Sequence, residues 1–483
     1  MTYVYLLTLV AALGGLLFGY DTAVISGAIG FLQAYFQLDP QLSKGWAAAS
    51  ALIGCAAGAG LAGLLSDQMG RKRVLLVSAV AFFVSALGTA FPRSFPEFIA
   101  YRMIGGLGIG AASITSPMYI AEISPARVRG RMVSVNQFAI VSGMVLIYFV
   151  NYFIADYGAA VDRQHVAERL QVEGPALNAQ AVEYELAGRN LPPWNVERGW
   201  RWMFGSGALP ALLLLSLLFA VPESPRWLAK QQRPAEALAV LSRVSGPQQA
   251  ALELADIQQA IAQESGSLTQ LFQPGMRIVL VIGVALAVLQ QVTGINVFLY
   301  YAPEIFKKFG SETQAALLQT VVVGAVMFIF TIVAIWTVDR WGRKPLMLVG
   351  AAGMGLALAA MGLAAFYQRT EVWVLLFILG YIACFALSVG PVTWVILSEI
   401  FPTSIRGRAM AIATVCLWIA NFLVTQTFTM MDENAWLVDR FHHAFTFWLY
   451  ALLCAVQLVF VWRFVPETKG KTLEEIERGW LSG

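Results

Sequence analysis

The chain has 483 residues, of which 58% are hydrophobic and 13% are charged, and its mean hydropathy is +0.67. This composition excludes a water-soluble globular protein and is typical of a chain that lies mostly in lipid. The formal net charge of +3 is small for this length, and we expect no nucleic-acid partner.

Six apolar stretches in the first half are long enough to cross a bilayer, which takes about 20 residues of helix. They lie near 4–30, 46–65, 73–92, 96–121, 131–155 and 201–221. The first has almost no positive residues before it and no cleavage site followed by a soluble domain, so it is predicted to be a span and not a signal peptide. Segment 156–199 is acidic and contains prolines, and it is predicted to be an irregular, solvent-exposed loop.

A polar segment and six further apolar stretches follow. Residues 222–276 alternate helix formers with charges, which predicts short soluble helices. The second group of spans lies near 277–302, 315–338, 345–367, 371–398, 408–430 and 442–464. The predicted organisation is an N-terminal six-helix bundle (1–221), an intracellular helical linker (222–276), a C-terminal six-helix bundle (277–465) and a cytoplasmic tail (466–483).

Two charged sequence patterns occur once in each half. D-Q-M-G-R-K-R begins at Asp67, and D-R-W-G-R-K-P begins 272 residues later at Asp339. E-I-S-P-A-R-V-R-G-R begins at Glu122, and E-I-F-P-T-S-I-R-G-R begins 277 residues later at Glu399. The nearly equal offsets indicate a duplicated membrane protein, and two similar halves imply a path between them.

Lysine and arginine concentrate in the turns after the second, fourth, eighth and tenth predicted spans. Because positive residues stay on the cytoplasmic side of a membrane, these turns and both termini are predicted to be cytoplasmic. The short loops and short tail favour a bacterial inner membrane.

The chain carries none of the short patterns that mark common enzyme sites. H-E-x-x-H, G-x-S-x-G and Walker sequences are absent. The three histidines lie in an outer loop and at a span end, and the four cysteines lie inside spans without metal-ligand or pairing spacing. We therefore expect no enzyme activity, no metal and no cofactor.

The order of these patterns resembles the sugar porter family of the major facilitator superfamily over essentially the whole chain. Besides the repeated turns, the resemblance is carried by the segments that begin at Gly19, Asn136, Pro222, Gln290, Tyr300 and Pro466. It implies an all-α membrane protein of the major facilitator fold, with twelve transmembrane helices in two pseudo-symmetric six-helix bundles. It also implies transport of a monosaccharide together with a proton. D-xylose is the first expected sugar, and D-glucose or another pentose or hexose is a further one. We expect the protein to be a monomer.

The repeated turns bring together acids and bases that can form charge-assisted contacts. We interpret them as a gating latch that holds the cytoplasmic ends together and breaks when the inner gate opens. The alternative is that they are the solvated positive turns of any membrane protein. The latch set is Asp67, Arg71, Glu122, Arg129, Glu223, Arg226, Asp339, Arg343, Glu399 and Arg406.

Asp21 and Arg102 are the ionisable residues that stand clearly away from the turns, inside the first and fourth predicted spans. A charge at mid-bilayer costs about 2.5–3.5 kcal/mol on insertion scales, so we expect the two to pair. The resemblance implies that Asp21 carries the coupling proton and that Arg102 tunes it. The alternative is a static ion pair that only fixes helix packing.

Uncharged polar and aromatic residues form a second group at membrane depth. A sugar presents hydroxyls and apolar faces, so its site needs amides, which both donate and accept, and aromatic planes. Gln137, Gln290, Gln291, Asn296 and Trp394 supply these groups. The alternative for each amide is an interhelical hydrogen bond. The resemblance adds cavity-lining roles for Phe18, Tyr300 and Trp418 and clearance at Gly390.

Two positions depart from the family pattern. Met327 and Leu417 stand where related symporters carry amides, and neither side chain can hydrogen-bond a hydroxyl. If both face the cavity, its C-terminal side is more apolar, which leaves the identity of the sugar open. Two functional alternatives also remain open, an uncoupled sugar uniporter and a transporter-like sugar sensor, although the short tail argues against the sensor.

Overall fold

The computed structural model describes residues 2–125, 127–173, 193–263, 276–369, 372–401 and 406–469, which are helical almost throughout. Within these residues, twelve helical segments are long and apolar enough to cross a membrane, and each overlaps one predicted stretch. Spans 1 to 12, in chain order, are Tyr3–Phe36, Ser43–Met69, Arg71–Ala90, Phe95–Ile123, Arg129–Glu168, Asn195–Ala220, Met276–Lys308, Thr313–Val338, Arg343–Phe366, Trp373–Ile400, Gly407–Asp432 and Ala444–Phe464. The all-α, twelve-span prediction is confirmed.

Several helices extend beyond these limits or are interrupted within them. Helices Thr2–Phe36, Arg129–Glu173, Thr313–Trp341 and Arg406–Asp432 contain spans 1, 5, 8 and 11. Span 6 consists of a π-helical turn, Asn195–Gly199, and helices Trp200–Gly205 and Ala208–Ala220. Span 7 consists of Met276–Val292 and Ile295–Lys308, and span 10 of Val372–Cys384, the π-helical turn Phe385–Val389 and Gly390–Ile400. Among the described residues, the shorter helices outside the spans are Pro225–Lys230, Pro234–Ser245, Pro247–Gln263 and Ala435–Phe441.

The predicted loop over 156–199 is wrong at both ends, because the helix of span 5 continues to Glu173 and span 6 begins at Asn195. Good helix formers follow the apolar stretch here, and no proline intervenes before residue 175. The extension also has a packing partner. The Asn195 amide donates to the Ala155 carbonyl, at 2.9 Å, and the Asp162 carboxylate accepts from the Trp194 N–H, at 3.2 Å. Residues 174–192 lie outside the described part of the chain.

Glycines allow the helices of each half to pack closely. Apolar side chains gain little by leaving lipid for one another, so membrane helices associate where small residues let the backbones approach. A Cβ at Gly19 of span 1 would overlap the Ile140 carbonyl of span 5, and one at Gly106 of span 4 would overlap the Ala51 carbonyl of span 2. These contacts fix the positions of the helices that carry the polar residues of the site.

The most extensive contacts between the two groups of six spans are made by three pairs of helices. Span 2 packs on span 11, span 5 on span 8, and span 1 on the second helix of span 7. We call the end of the bundle that carries the helices of 225–263 the linker end, and the opposite end the distal end. The polar groups predicted at membrane depth lie between these two ends.

Candidate functional site

Asp21 and Arg102 lie side by side inside the N-terminal half. Arg102 Nη1 is 3.2 Å from Asp21 Oδ2 and also 3.2 Å from the Asp21 carbonyl oxygen. Arg102 is 1% exposed, whereas the Asp21 side chain is 13% exposed. The guanidinium lies 5.6 Å from the centre of the Phe204 ring in span 6. The pair is therefore enclosed mainly on the arginine side, and the carboxylate is its more accessible member.

The surroundings of this pair leave some polar atoms without partners. Arg102 Nε and the Ser85 hydroxyl have no hydrogen-bond partner among the described groups. Asp21 and Ser85 both approach Gly105, where a Cβ would lie 3.3 Å from Asp21 Oδ2 and overlap the Ser85 hydroxyl. Removing one member of a buried pair is costly, because the other charge is left uncompensated. The contact with Arg102 therefore compensates the charge of Asp21.

Span 7 supplies a row of connected amides around its break at Gly294, whose φ is 91°. Asn296 donates to Gln291 at 2.5 Å, and Gln291 donates to Gln290 at 3.2 Å. Gln290 donates to two backbone carbonyls of span 10, Val389 at 3.2 Å and Gly390 at 2.9 Å. The Gln290 amide thus holds spans 7 and 10 together, and Gln291 and Asn296 keep more hydrogen-bonding capacity for a ligand.

Aromatic side chains from both halves complete the candidate site. The Phe18 and Trp418 ring centroids are 5.5 Å apart, which joins span 1 to span 11. Trp418 is 4% exposed, and its indole N–H has no acceptor among the described residues. Tyr300 is buried, while Gln137 and Trp394 are partly exposed. A buried donor without a partner beside an aromatic pair is an arrangement that suits a hydroxyl ligand.

The two departures from the family pattern are both buried, Met327 at 7% and Leu417 at 4% exposure. One turn beyond Leu417 lies Asn421, which the sequence analysis missed. Its side chain is buried, accepts a hydrogen bond from Thr425 at 3.1 Å and also interacts with the Tyr300 hydroxyl. The available signal was the amide of Asn421, three residues after Trp418 on the same helix. An amide therefore remains on span 11, displaced by one turn.

At the linker end, Arg71 is the centre of the acidic and basic residues of the N-terminal half. Its Nε and Nη2 pair with the two carboxylate oxygens of Glu122, at 2.9 and 3.0 Å, and its Nη1 lies 3.2 Å from Asp67. Glu122 also accepts a hydrogen bond from the Ser224 hydroxyl at 2.5 Å. These contacts, in which Nη2 donates a hydrogen bond and Nε lies within ion-pair distance, connect spans 2, 3 and 4 to the start of the linker.

Glu223 caps the N-terminus of span 3. Its carboxylate accepts from the backbone N–H groups of Arg71, Lys72 and Ser224, at 3.0, 3.1 and 2.8 Å. Burial raises the pKa of Glu223, because the loss of solvent outweighs these hydrogen bonds and the charge of Arg71. The first turn of a helix leaves its N–H groups without partners, which explains why an acid is found here.

The C-terminal half repeats this arrangement. Arg343 Nη2 pairs with Glu399 at 3.0 Å, and Glu399 accepts from the Thr468 hydroxyl at 2.5 Å. Glu467 caps span 9 by accepting from the N–H groups of Arg343 and Lys344, at 3.1 and 3.0 Å. Burial opposes the ionisation of Glu467, but the donated hydrogen bonds outweigh it and lower its pKa. Glu467 and Thr468 were missed as site residues, although they repeat the Pro-Glu-Ser sequence that follows span 6.

The latch contacts described above each join residues of one half. They brace the linker end of each bundle, and fastening of the two halves to each other remains a prediction. Arg129 is exposed and donates to the Ala121 carbonyl at 3.0 Å. Arg226 is partly buried. The side chains of Asp339 and Arg406 lie outside the described part of the structure.

Comparisons with known proteins agree with this architecture. Residues 7–480 match the family model described as sugar (and other) transporter. The chain is 45% identical to the D-xylose-proton symporter of Escherichia coli K12, over 99% of the chain and 96% of that protein. It is 40% identical to the arabinose-proton symporter of Bacillus subtilis, over 100% and 96%. The partially occluded inward open structure of the E. coli xylose transporter XylE superposes with a TM-score of 0.81 at 42% identity, covering 98% of this chain and 100% of that one.

Proposed function

The chain belongs to the sugar transporter family, and from that premise we propose that it is a proton-coupled monosaccharide symporter with D-xylose as its first substrate. The observation that carries the proposal is the Asp21–Arg102 pair, a buried acid and base inside the N-terminal half. The likeness to a D-xylose-proton and an arabinose-proton symporter supports both the proton and the pentose.

Proton coupling follows from the two states that Asp21 can adopt. The guanidinium of Arg102, at 3.2 Å, favours the ionised form of the carboxylate. Moving the two groups apart in a dry environment would leave the Asp21 carboxylate without a counter-charge. Taking up a proton neutralises that carboxylate. Protonation and the relative position of spans 1 and 4 are therefore linked. A proton driven by 100 mV supplies about 2.3 kcal/mol, enough to concentrate a sugar several tens of fold.

The sugar site is proposed to lie between the halves at the depth of the span 7 break. Gln291, Asn296 and the Trp418 indole offer hydrogen-bonding groups, and Phe18 and Trp394 offer apolar planes for C–H surfaces. Gln137, Gln290 and Tyr300 belong to the same proposed site, with Gly390 providing space. Met327 and Leu417 make one wall apolar, which favours a sugar that presents fewer hydroxyls on that side.

The conformation is proposed to be inward-facing. Distal residues of the two halves are joined by hydrogen bonds, such as Gln41 to the Glu433 carbonyl at 2.9 Å and Thr429 to the Gln41 carbonyl at 2.7 Å. The superposition on an inward open relative supports the same state. Alternating access would then open the distal end and close the linker end.

The protein is a multi-pass membrane protein of the bacterial inner-membrane type. We further propose that both termini and the linker face the cytoplasm, since the positively charged turns lie at the linker end. The protein is proposed to act as a monomer, with the sugar, the proton and the lipid bilayer as its partners and without enzymatic activity.

The test is uptake of labelled xylose and glucose into proteoliposomes with and without an inward proton gradient. We expect gradient-driven accumulation that Asp21→Asn abolishes while sugar exchange persists, because the neutral side chain fixes one protonation state. Asp156→Asn changes an exposed acid of span 5 and should leave accumulation intact. Equilibration without any effect of the gradient would show a uniporter, and absence of uptake of both sugars would refute the proposed substrates.

A further inference from the structure

The distal contact between the halves contains a buried ion pair. Lys44 Nζ of span 2 lies 2.6 Å from Glu304 Oε2 of span 7. The Lys44 side chain is 6% exposed and that of Glu304 16%. Glu304 also pairs with Lys307, one turn further along the same helix. An ion pair so enclosed, between residues of opposite halves, can exist only while the distal end is closed.

Hydrogen bonds from side chains to backbone carbonyls join the residues next to Lys44 to the C-terminal half. Gln426 donates to the Leu42 carbonyl at 3.1 Å, and Gln41 and Thr429 form the hydrogen bonds given above. A Cβ at Gly45 would overlap the Thr429 hydroxyl and lie 2.9 Å from the Gln426 amide. The residues before and after Lys44 thus pack closely on the C-terminal half. Water therefore has little access to the ammonium group of Lys44.

Lys44 occupies an unfavourable position within its own half. It is the second residue of helix Ser43–Met69, whose first turn contains no acidic residue. The N-terminus of a helix carries partial positive charge, so a buried lysine there is destabilised. Glu304 supplies the compensating negative charge from the other half. The closed distal end is therefore stabilised by a contact that neither half can make alone.

The two members of the pair differ in what they keep when the halves separate. Lys44 would enter water, where a lysine is well solvated. Glu304 would keep Lys307, because both belong to helix Ile295–Lys308. Opening therefore leaves neither charge buried and unpaired, so the contact can break and re-form in each transport cycle.

We propose that Lys44 and Glu304 form an outer gate lock, an ion pair that stabilises the distally closed state, with Lys307 as the counter-charge that Glu304 retains on opening. This inference rests on the proposed alternating access. The lock is coupled to the sugar site by position, since Glu304 lies one turn beyond Tyr300 on the short helix that begins after the Gly294 break and carries Asn296. A movement of that helix would displace the proposed sugar ligands and the lock together.

The gate can be followed with a thiol at Ser26. This residue of span 1 is 2% exposed and lines a narrow gap between the halves together with Gly30, Glu304 and Lys307. The reaction rate of Ser26→Cys with a water-soluble maleimide reports how often the distal end opens. The rate is measured in detergent or nanodiscs. The background rate of the same protein without Ser26→Cys is subtracted. The measurement needs neither sugar nor a gradient, so its failure and the failure of the uptake test are distinguishable.

We expect Lys44→Met and Glu304→Gln each to raise this rate at least about fivefold, the lower range for couplings between sites. The double variant should react no faster than the faster single variant, because both act on one contact. Lys44→Arg, which keeps the charge, and Glu236→Gln, which removes an exposed linker acid, should remain within about twofold of the starting protein.

Unchanged rates in both single variants, multiplied rates in the double variant, or an equal increase in Glu236→Gln would overturn the proposal. Lys44→Met is the decisive variant should Glu304→Gln not fold. It leaves Glu304 paired with Lys307 and therefore leaves no buried charge without a partner.

Discussion

The two capping acids at the linker end provide a test of how burial and hydrogen bonding oppose each other at matching positions. Glu223→Gln and Glu467→Gln are the same chemical change at the N-termini of spans 3 and 9. Each removes a charge and one acceptor oxygen from a carboxylate that receives backbone N–H groups. The pKa of Glu223 is raised, because burial dominates, whereas that of Glu467 is lowered, because the hydrogen bonds dominate. The two variants are therefore expected to differ in their dependence on pH.

The signs follow from linkage between protonation and folding. Glu467 has a lowered pKa, so its contribution to stability is present above the unfolded-state value of about 4.3 and is lost as pH falls through the folded-state value. Glu223 has a raised pKa, so its contribution is fully present below the unfolded-state value and is lost as pH rises through the folded-state value. The stability difference between wild type and variant thus grows with pH for Glu467→Gln and shrinks with pH for Glu223→Gln.

The expected size is modest, because both acids remain partly exposed and solvent screens their interactions. We expect Glu467→Gln to cost about 1 kcal/mol at pH 7, which corresponds to roughly 2–4 °C in the melting temperature for a bundle of this size. Glu223→Gln is expected to cost less at the same pH. The assay is thermal unfolding of the purified protein in detergent at pH values from about 3.5 to 7.5, with Glu236→Gln as the exposed control. Slopes of the same sign in the two variants would refute this reasoning.

Three further substitutions test helix packing, the proposed latch and the proposed sugar site. Gly106→Ala should reduce the yield of monodisperse protein sharply in size-exclusion chromatography, because the added carbon meets backbone, whereas Gly63→Ala meets nothing within 4 Å and should not. Arg71→Lys loses one of the two contacts with Glu122 and should destabilise the protein by about 1–2 kcal/mol in thermal unfolding. A variant as stable as the wild type would contradict a structural role for the Arg71–Glu122 contact. Trp418→Phe keeps the aromatic plane but removes the indole N–H, which has no acceptor among the described residues. The dissociation constant for the sugar, measured by calorimetry, should therefore rise about 5–10-fold. An unchanged value would place the indole outside the sugar site.

The matching halves are similar in their latch geometry and different in their electrostatics. Arg71 with Glu122 and Arg343 with Glu399 have the same partners in the repeated sequence, and each acid also accepts a hydroxyl hydrogen bond. The capping acids nevertheless differ in pKa, because burial dominates at Glu223 and the donated hydrogen bonds dominate at Glu467. Equal sequence patterns thus give equal contacts but unequal proton affinities.

The sequence by itself determined the twelve spans, because the thickness of the bilayer sets the length of an apolar helix and the cost of a buried charge excludes most ionisable residues from it. The same cost made Asp21 and Arg102 conspicuous as partners, and the repeated turns identified Arg71, Glu122, Arg343 and Glu399 as a set. These conclusions depend on local composition or on repetition, both of which can be read along the chain.

Only the tertiary structure decided which groups meet across the molecule. The helix of span 5 continues into the predicted loop because residues 194 and 195 pack against it, and Gln290 is engaged by the backbone of span 10. Lys44 and Glu304 lie 260 residues apart in opposite halves, and each alone looks like an ordinary charge at the end of a span. Such contacts depend on how the two bundles pack and on which end of the path is closed, and that arrangement has no local signal in the sequence.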